Sequence, residues 1–290
     1  MKPANVARRV LSAAVADLDR ALAHVCRDGD ERWIHRARNS IRALRATLSA
    51  FAPLLEEQRY ASFNARLREL AVRLGPVREA DVLIEHITAL APRLPQTDAA
   101  AIEQIIARCR EVRGAAYATF LAELGQATAA HLVGDLRRSL EPAGSLIVHP
   151  AAIASDHLPR TVIAKPWRRL KKTVRSSGKD PGAAELHAIR IKAKRCRYVA
   201  EALVPLLPKS RRADARRFLR RLTRLQDALG TFHDAVTERD RLRSLARAGL
   251  DRYVAGELAG VETGVASAAR AAWRKAWKKA ARHPPSRLGE

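Results

Sequence analysis

Apolar residues recur three or four positions apart over almost the whole chain, the spacing of helices with one buried face. Val6, Val10, Ala14, Leu18 and Leu22 predict a first helix over about 3–26, ended by Asp28-Gly29-Asp30. A second begins near Glu31, carries Ile34, Ala37, Ile41, Leu44, Leu48 and Phe51 on one face, and stops at Pro53. A third runs over about 55–74 to Gly75-Pro76, and a fourth follows at once, with Pro76 in its first turn, and ends before Pro92. A fifth covers about 98–124, with a shorter helical piece continuing to 140. Pro142, Gly144, Ser145, Pro150, Ser155 and Pro159 mark a linker over 141–160, within which Leu146-Ile147-Val148 has extended character. Helical spacing resumes over about 161–175, 182–207, 210–229, 232–247 and 250–282, and Pro284-Pro285 opens a short tail, 284–290. No strand pattern emerges, so the fold class is all-α.

Two of these helices have polar faces that are alike. On the 182–207 helix, His187, Arg190, Lys194 and Arg197 fall on one side, opposite Ile189, Ala193, Cys196, Ala200 and Leu203. Like charges one turn apart repel, each pair by about 0.2–0.5 kcal/mol, so the row is best understood with something anionic along it. The second helix repeats the pattern: His35 aligns with His187, Arg38 with Arg190, Arg42 with Lys194 and Arg45 with Arg197. Without a gap, Pro53-Leu54-Leu55 then falls on Pro205-Leu206-Leu207. A second match aligns Leu74-Gly75-Pro76-Val77-Arg78-Glu79 with Leu229-Gly230-Thr231-Phe232-His233-Asp234. The repeat unit is therefore half the protein. It predicts two pseudo-symmetric bundles of about four long helices each, 1–140 and 161–283, packed so that the basic faces approach each other.

Charge narrows the partner. The 290 residues include 54 Lys and Arg against 30 Asp and Glu, a net charge of +24. That excess points to a polyanion: nucleic acid, an anionic membrane surface or polymeric phosphate. A hydrophobic content of 47% excludes a disordered basic tail, and 4% aromatics is low for binding single strands by base stacking. Cys26, Cys109 and Cys196 are scattered and form no Cys-x-x-Cys, so neither a disulfide framework nor a zinc module is expected, and a cytoplasmic location fits. No signal-peptide run and no stretch near ~18 apolar residues occurs, so no membrane span is expected. Positive charge is densest over 160–224, with 21 Lys and Arg against four acids. Lys165, Arg168, Arg169 and Lys172 lie before the His187 row, and Arg217, Arg220, Arg221 and Arg224 after it; all eight are candidate contacts. Lys275, Lys278, Lys279 and Arg282 extend the basic surface, while Trp273 and Trp277, one turn apart, read as core.

A helix with His-x-x-Arg-x-x-x-Arg/Lys-x-x-Arg, present twice and each time followed by Leu-Gly-x-x-(Arg/His)-(Asp/Glu), resembles the CHAD domain, the conserved histidine α-helical domain. The resemblance runs from about residue 4 to 282. It implies two four-helix bundles, binding of inorganic polyphosphate (for which sulfate or phosphate would substitute) and association with polyphosphate granules. The implied contacts are His35, Arg38, Arg42 and Arg45 in the first half, and His187, Arg190, Lys194 and Arg197 in the second. The departures are Glu79, where the family usually has Asp, and His233, where it has Arg or Asn.

The chemistry agrees with a binder. A polyphosphate carries about one charge per internal unit and no bases, so it asks only for a track of cations and donors. His35 and His187 have three readings: catalytic groups, metal ligands, or donors that become protonated beside a polyanion. Apart from Glu31 before His35, no carboxylate stands one turn away to orient either, and no His-x-x-x-His or His-Glu-x-x-His occurs, so the donor role leads, with a packing or capping histidine as the alternative. Arg78, Glu79, Asp81 and Asp234 read as helix caps or ion-pair partners rather than an acidic active site. No catalytic residue, metal or cofactor is expected. The competing functions are a nucleic-acid binder using the same surface and a metal-dependent phosphohydrolase, or a regulator of one.

Overall fold

The computed structural model describes residues 3–93, 98–148, 158–204, 207–247 and 252–282. Nine α-helices carry them: α1 (Pro3–Asp28), α2 (Glu31–Phe51), α3 (Glu57–Arg73), α4 (Gly75–Leu90), α5 (Ala99–Leu140), α6 (Leu158–Ser176), α7 (Ala183–Leu203), α8 (Lys209–Arg247) and α9 (Arg252–Ala281). The protein is all-α, as the periodicity requires. Pro150, Ser155, Pro205, Leu206, Pro284 and Pro285 lie outside the described residues.

Local chemistry sets the boundaries. Gly29, with φ +63°, turns the chain between α1 and α2 beneath the Tyr117 ring. Asp30 then caps α2 by accepting from the Arg32 N–H at 2.8 Å. Glu56 caps α3, accepting from Gln58 N at 2.9 Å and Arg59 N at 2.7 Å, so that helix starts two residues later than its periodicity suggests. Leu55 is taken by a short antiparallel bridge to Ile147, in which the Val148 N–H donates to the Leu54 carbonyl at 3.1 Å. The extended stretch of the linker is thus a clip onto the first half. α6 starts inside the expected linker, at Leu158, because a proline in a first turn surrenders no helical hydrogen bond.

Two expected breaks are absent. α5 runs unbroken for 42 residues, about 63 Å. α8 runs for 39 residues straight through Gly230. The aligned Gly75 does divide α3 from α4, and the difference is the next residue. Pro76 has no N–H to donate, so the helical ladder is interrupted there and a new helix opens with Pro76 in its first turn. Thr231 keeps its N–H, and its hydroxyl donates to the Asp227 carbonyl at 3.0 Å.

Three apolar cores result. One gathers α1, α2, α3 and α5 around Leu18, Ile34, Ile41, Leu67, Phe120 and Leu136. Another joins α6 to α9 around Trp167, Leu170, Ile189, Leu222 and Leu225, and takes in Ala46 and Phe51 of α2. A third packs Leu83 and Ile87 of α4 and Ile102 and Ile105 of α5 against Leu242 of α8 and Val254 and Leu258 of α9. The halves therefore share cores. Polar links run beside the third: His86 to the fully buried Glu262, and Arg241 to Glu79 at 2.7 Å and to Glu238 at 3.3 Å. Burial pushes the Glu238 carboxyl up to about 7 against the pull of Arg241 and His86.

Two glycines with positive φ separate backbone strain from packing. Gly178 (φ +69°) has open space where a Cβ would go, whereas at Gly29 a Cβ would lie 2.4 Å from the Tyr117 ring. Gly178→Ala should cost about 1 kcal/mol and Gly29→Ala about 2–4 kcal/mol in chemical denaturation. Equal losses would mean that Tyr117 swings aside freely.

Candidate functional site

α2 and α7 pack on each other through the apolar faces that their sequences dictate. Ala46 and Phe51 join Ala193 and Val199 in one core, and the Arg195 guanidinium contacts the Ser49 hydroxyl. The basic rows run along the outer edges of this contact.

Within each half the second motif seats the first. In the first half, an added Cβ on Gly75 would stand 3.5 Å from the Arg38 guanidinium, which donates to the Ala71 carbonyl at 2.7 Å. In the second, a Cβ on Gly230 would stand 3.8 Å from Arg190 Nε, and Arg190 donates to Asp234 at 3.1 Å. Glu79, aligned with Asp234, pairs with Arg241 instead and supports the charge of Arg38 only through space; burial and then Arg42 draw Arg38 down to about 10. Nε of Arg38 and Nε of Arg190 are both buried without an acceptor among the described residues. The histidines match too. Arg78 is the strongest charge acting on His35, and the aligned His233 sits with its Nδ1 3.2 Å from that of His187. The row ends are each held by an amide: Arg45 Nε donates to Asn64 at 3.0 Å, and Arg197 Nε to Gln226 at 2.7 Å. Arg197 also pairs with Glu201 and lies 4.6 Å over the Tyr198 ring.

Where the halves meet, cations face cations. The Arg42 charge reaches both Arg190 and Lys194, and Lys194 reaches His35. Burial, then Arg190 and Arg42, pull the Lys194 ammonium down to about 7, and among the neighbouring charges only Asp234 opposes them. Among the described residues, Arg42 and Lys194 have no ion pair or hydrogen-bond partner of their side chains. Burial and the neighbouring cations lower His35 and His187 as well, and bring His233 to about 4. The ligand-free site therefore holds its histidines toward the neutral form. A second line of charge crosses the same helices, from Arg68 on α3 through Arg45 and Arg195 to Arg169 on α6: Arg68 and Arg195 depress Arg45, and Arg169 depresses Arg195.

The acids near the rows are engaged. Arg78 grips Glu85 at 3.1 and 3.2 Å, Asp81 holds Arg113 at 2.7 Å, and Glu79 and Asp234 pair as above. None of these contacts is a side-chain helix cap; the backbone alone opens α4. Among the described residues no three of His, Cys, Asp or Glu are grouped to hold a metal ion, and no helix is long and apolar enough to cross a membrane.

The sequence pattern of the CHAD domain matches residues 9–243. The chain belongs to the CHAD family. PptA from Streptomyces chartreusis is similar in structure, with a TM-score of 0.74 at 21% identity over 96% of this chain and 100% of that one. The CHAD domain from the plant Ricinus communis superposes with a TM-score of 0.67 at 21% identity, over 100% of this chain and 91% of that one. Among curated proteins, none matches this CHAD chain.

The structure brings together His35, Arg38, Arg42, His187, Arg190, Lys194 and Arg197, with Arg45 and Arg169 on the second line. Lys165, Arg168 and Lys172 are exposed on α6, where Arg168 and Lys172 border a groove of about 750 Å³ with Lys171 and Arg175. Arg217, Arg220, Arg221 and Arg224 lie elsewhere. At 100° per residue their stripe on α8 points roughly 160° away from Gln226, Gly230 and His233, which face α7. The density of charge in 160–224 revealed their number but not their direction. Arg78, Asn64 and Gln226 are the site residues that sequence reasoning missed or misassigned; only the pairing of the two motifs hinted at Arg78.

Because Arg42 depresses Lys194, Arg42→Gln should raise the Lys194 titration midpoint, read from its side-chain NMR shifts, and that of His35 with it. An unmoved midpoint would place Arg42 out of range. Between pH 7 and 10.5 the unfolded chain holds a proton at Lys194 that the folded one lacks, so this residue adds stability as pH rises through that window.

Proposed function

We propose that this CHAD protein binds inorganic polyphosphate without breaking it, along the cleft between the two histidine rows, and that this binding localises it to polyphosphate granules in the cytoplasm. The observation that carries the reading is the convergence of the two rows on Arg42 and Lys194, which have no ion-pair partner among the described residues and stand among Arg38, Arg190 and Arg197. A half-buried cluster of one sign is costly alone and favourable once an anion threads it. Arginine forks and the compact lysine charge suit non-bridging phosphate oxygens, and the buried Nε donors of Arg38 and Arg190 add a cost of about 1–3 kcal/mol each that a ligand oxygen would remove. The acids of the second motif are tied up in holding arginines, so the cleft offers carboxylates as props for cations rather than as reactants.

Arg42→Gln with Lys194→Gln removes two free cations and no structural pair. It should weaken binding of long-chain polyphosphate about 10- to 100-fold in calorimetry at moderate salt. Arg243→Gln with Arg247→Gln, at exposed positions on the far end of α8, should change it less than about twofold. Equal effects would sink the cleft assignment. So would displacement of polyphosphate by duplex DNA at equal phosphate concentration. Phosphate release from the polymer with Mg²⁺ or Mn²⁺ present, lost in Asp234→Asn, would restore the hydrolase reading.

Binding should also take up protons. A phosphate chain beside Lys194 favours its charged form, so affinity should fall as pH rises from about 6 to 9. Lys194→Arg stays charged throughout and should flatten that slope. Calorimetry in buffers of different ionisation enthalpy reads the proton uptake directly, and none at pH 8 would show that Lys194 does not meet the ligand.

A further inference from the structure

We propose that the outer groove between α8 and α9 is a second polyphosphate site, distinct from the cleft between the histidine rows and facing away from it. Arg221 and Arg224 of α8, Lys275 and Lys279 of α9, and Arg282 just beyond the end of α9 line this groove of about 380 Å³. No carboxylate lines it. Asp227 stands one turn beyond Arg224 and belongs to neither wall, and none of the five cations has an ion pair or side-chain hydrogen bond among the described residues. Elsewhere on the surface Arg73, Arg108, Arg138 and Arg270 each find an acid, whereas Arg168, Lys171, Lys172 and Arg175, likewise unpaired among the described residues, all stand on the single helix α6. Five unpaired cations along two adjoining helices repel one another, and an anion laid between them turns that repulsion into attraction. Arg220, and beyond it Arg217 with its partner Asp214, continue the same α8 stripe, so the track outlasts the groove.

The lining chooses among polyanions. The floor is Ala228, Ala272 and Ala276, small side chains that let the two helices close together and leave the cationic walls near each other. No aromatic ring is present on which a nucleobase could stack, and no side-chain acceptor is present to read a base edge. No large apolar side chain projects to enter a bilayer. A bare chain of phosphates needs none of these. The α8 helix thus carries His233 and Asp234 toward one site and Arg221 and Arg224 toward another. A long polymer can fill both on one molecule or join two molecules.

This inference rests on the polyphosphate reading above, and the test separates the two. Short-chain polyphosphate titrated calorimetrically into the whole protein should bind as two chains per molecule. Arg221→Gln, Arg224→Gln, Lys275→Gln and Lys279→Gln together should leave one chain, bound as tightly as the stronger wild-type site. The Arg42→Gln, Lys194→Gln protein should keep the other. With long-chain polymer the groove variant should lose on the order of 100-fold in affinity through the lost second foothold. Independently of any variant, short-chain polyphosphate should protect Lys275 and Lys279 from amine acetylation in the wild-type protein. A single chain per molecule, with the groove variant unchanged and both lysines unprotected, overturns the second site and leaves the first. An absence of any binding to the wild type overturns both. Duplex DNA displacing short polyphosphate from the cleft variant overturns the choice of ligand for the groove.

Discussion

Repulsion among half-buried cations is the constraint around which this protein is arranged. The apolar contact between α2 and α7 brings the two histidine rows together, and nothing in that contact neutralises them. The fold responds by fixing the arginines individually. Arg38 is held by a carbonyl, Arg190 by a carboxylate, and Arg45 and Arg197 by side-chain amides. Carbonyl and amide props orient a guanidinium without cancelling its charge. Net positive potential therefore survives in a place where solvent is partly excluded and each charge counts for more.

The duplicated motifs were legible as a pair because they keep charge and spacing while neighbouring residues change. Their mutual contact was not. Gly75 and Gly230 look like helix breakers in one dimension, yet in three each lies against the arginine that its own half uses, and one of them sits inside a continuous helix. Periodicity also could not distinguish a weak glycine interruption from a real end; Pro76 against Thr231 decided that. Nor could it show the third core. Leu83, Ile102, Leu242 and Leu258 are unremarkable apolar positions of four helices, and only their packing reveals that the hairpin α4–α5 and the hairpin α8–α9 bind the halves together.

Charge density misled in one respect. The arginines of 209–224 form the richest basic run of the chain, and proximity in sequence tied them to the His187 row. Helical geometry puts Arg217, Arg220, Arg221 and Arg224 on the far side of α8. A local sum of charge reports how much potential a segment generates, while only the phase of the helix reports where it is felt. The acids show the converse. Glu79, Asp81 and Asp234 are few, and each is paired with an arginine, so the acidic positions serve as internal fasteners rather than as a surface.

The depressed ammonium of Lys194 has a consequence for selectivity. At neutral pH this side chain is only partly charged, so the formal +24 overstates the field of the free protein where the two histidine rows meet. A sparse anion, such as a single carboxylate on a passing protein, does too little to protonate it and meets a weaker cleft. A dense polymer recruits the missing proton and so strengthens its own site. On the proposed reading, the site would regulate its own charge to suit its visitor and discriminate by the linear charge density of the ligand rather than by its shape.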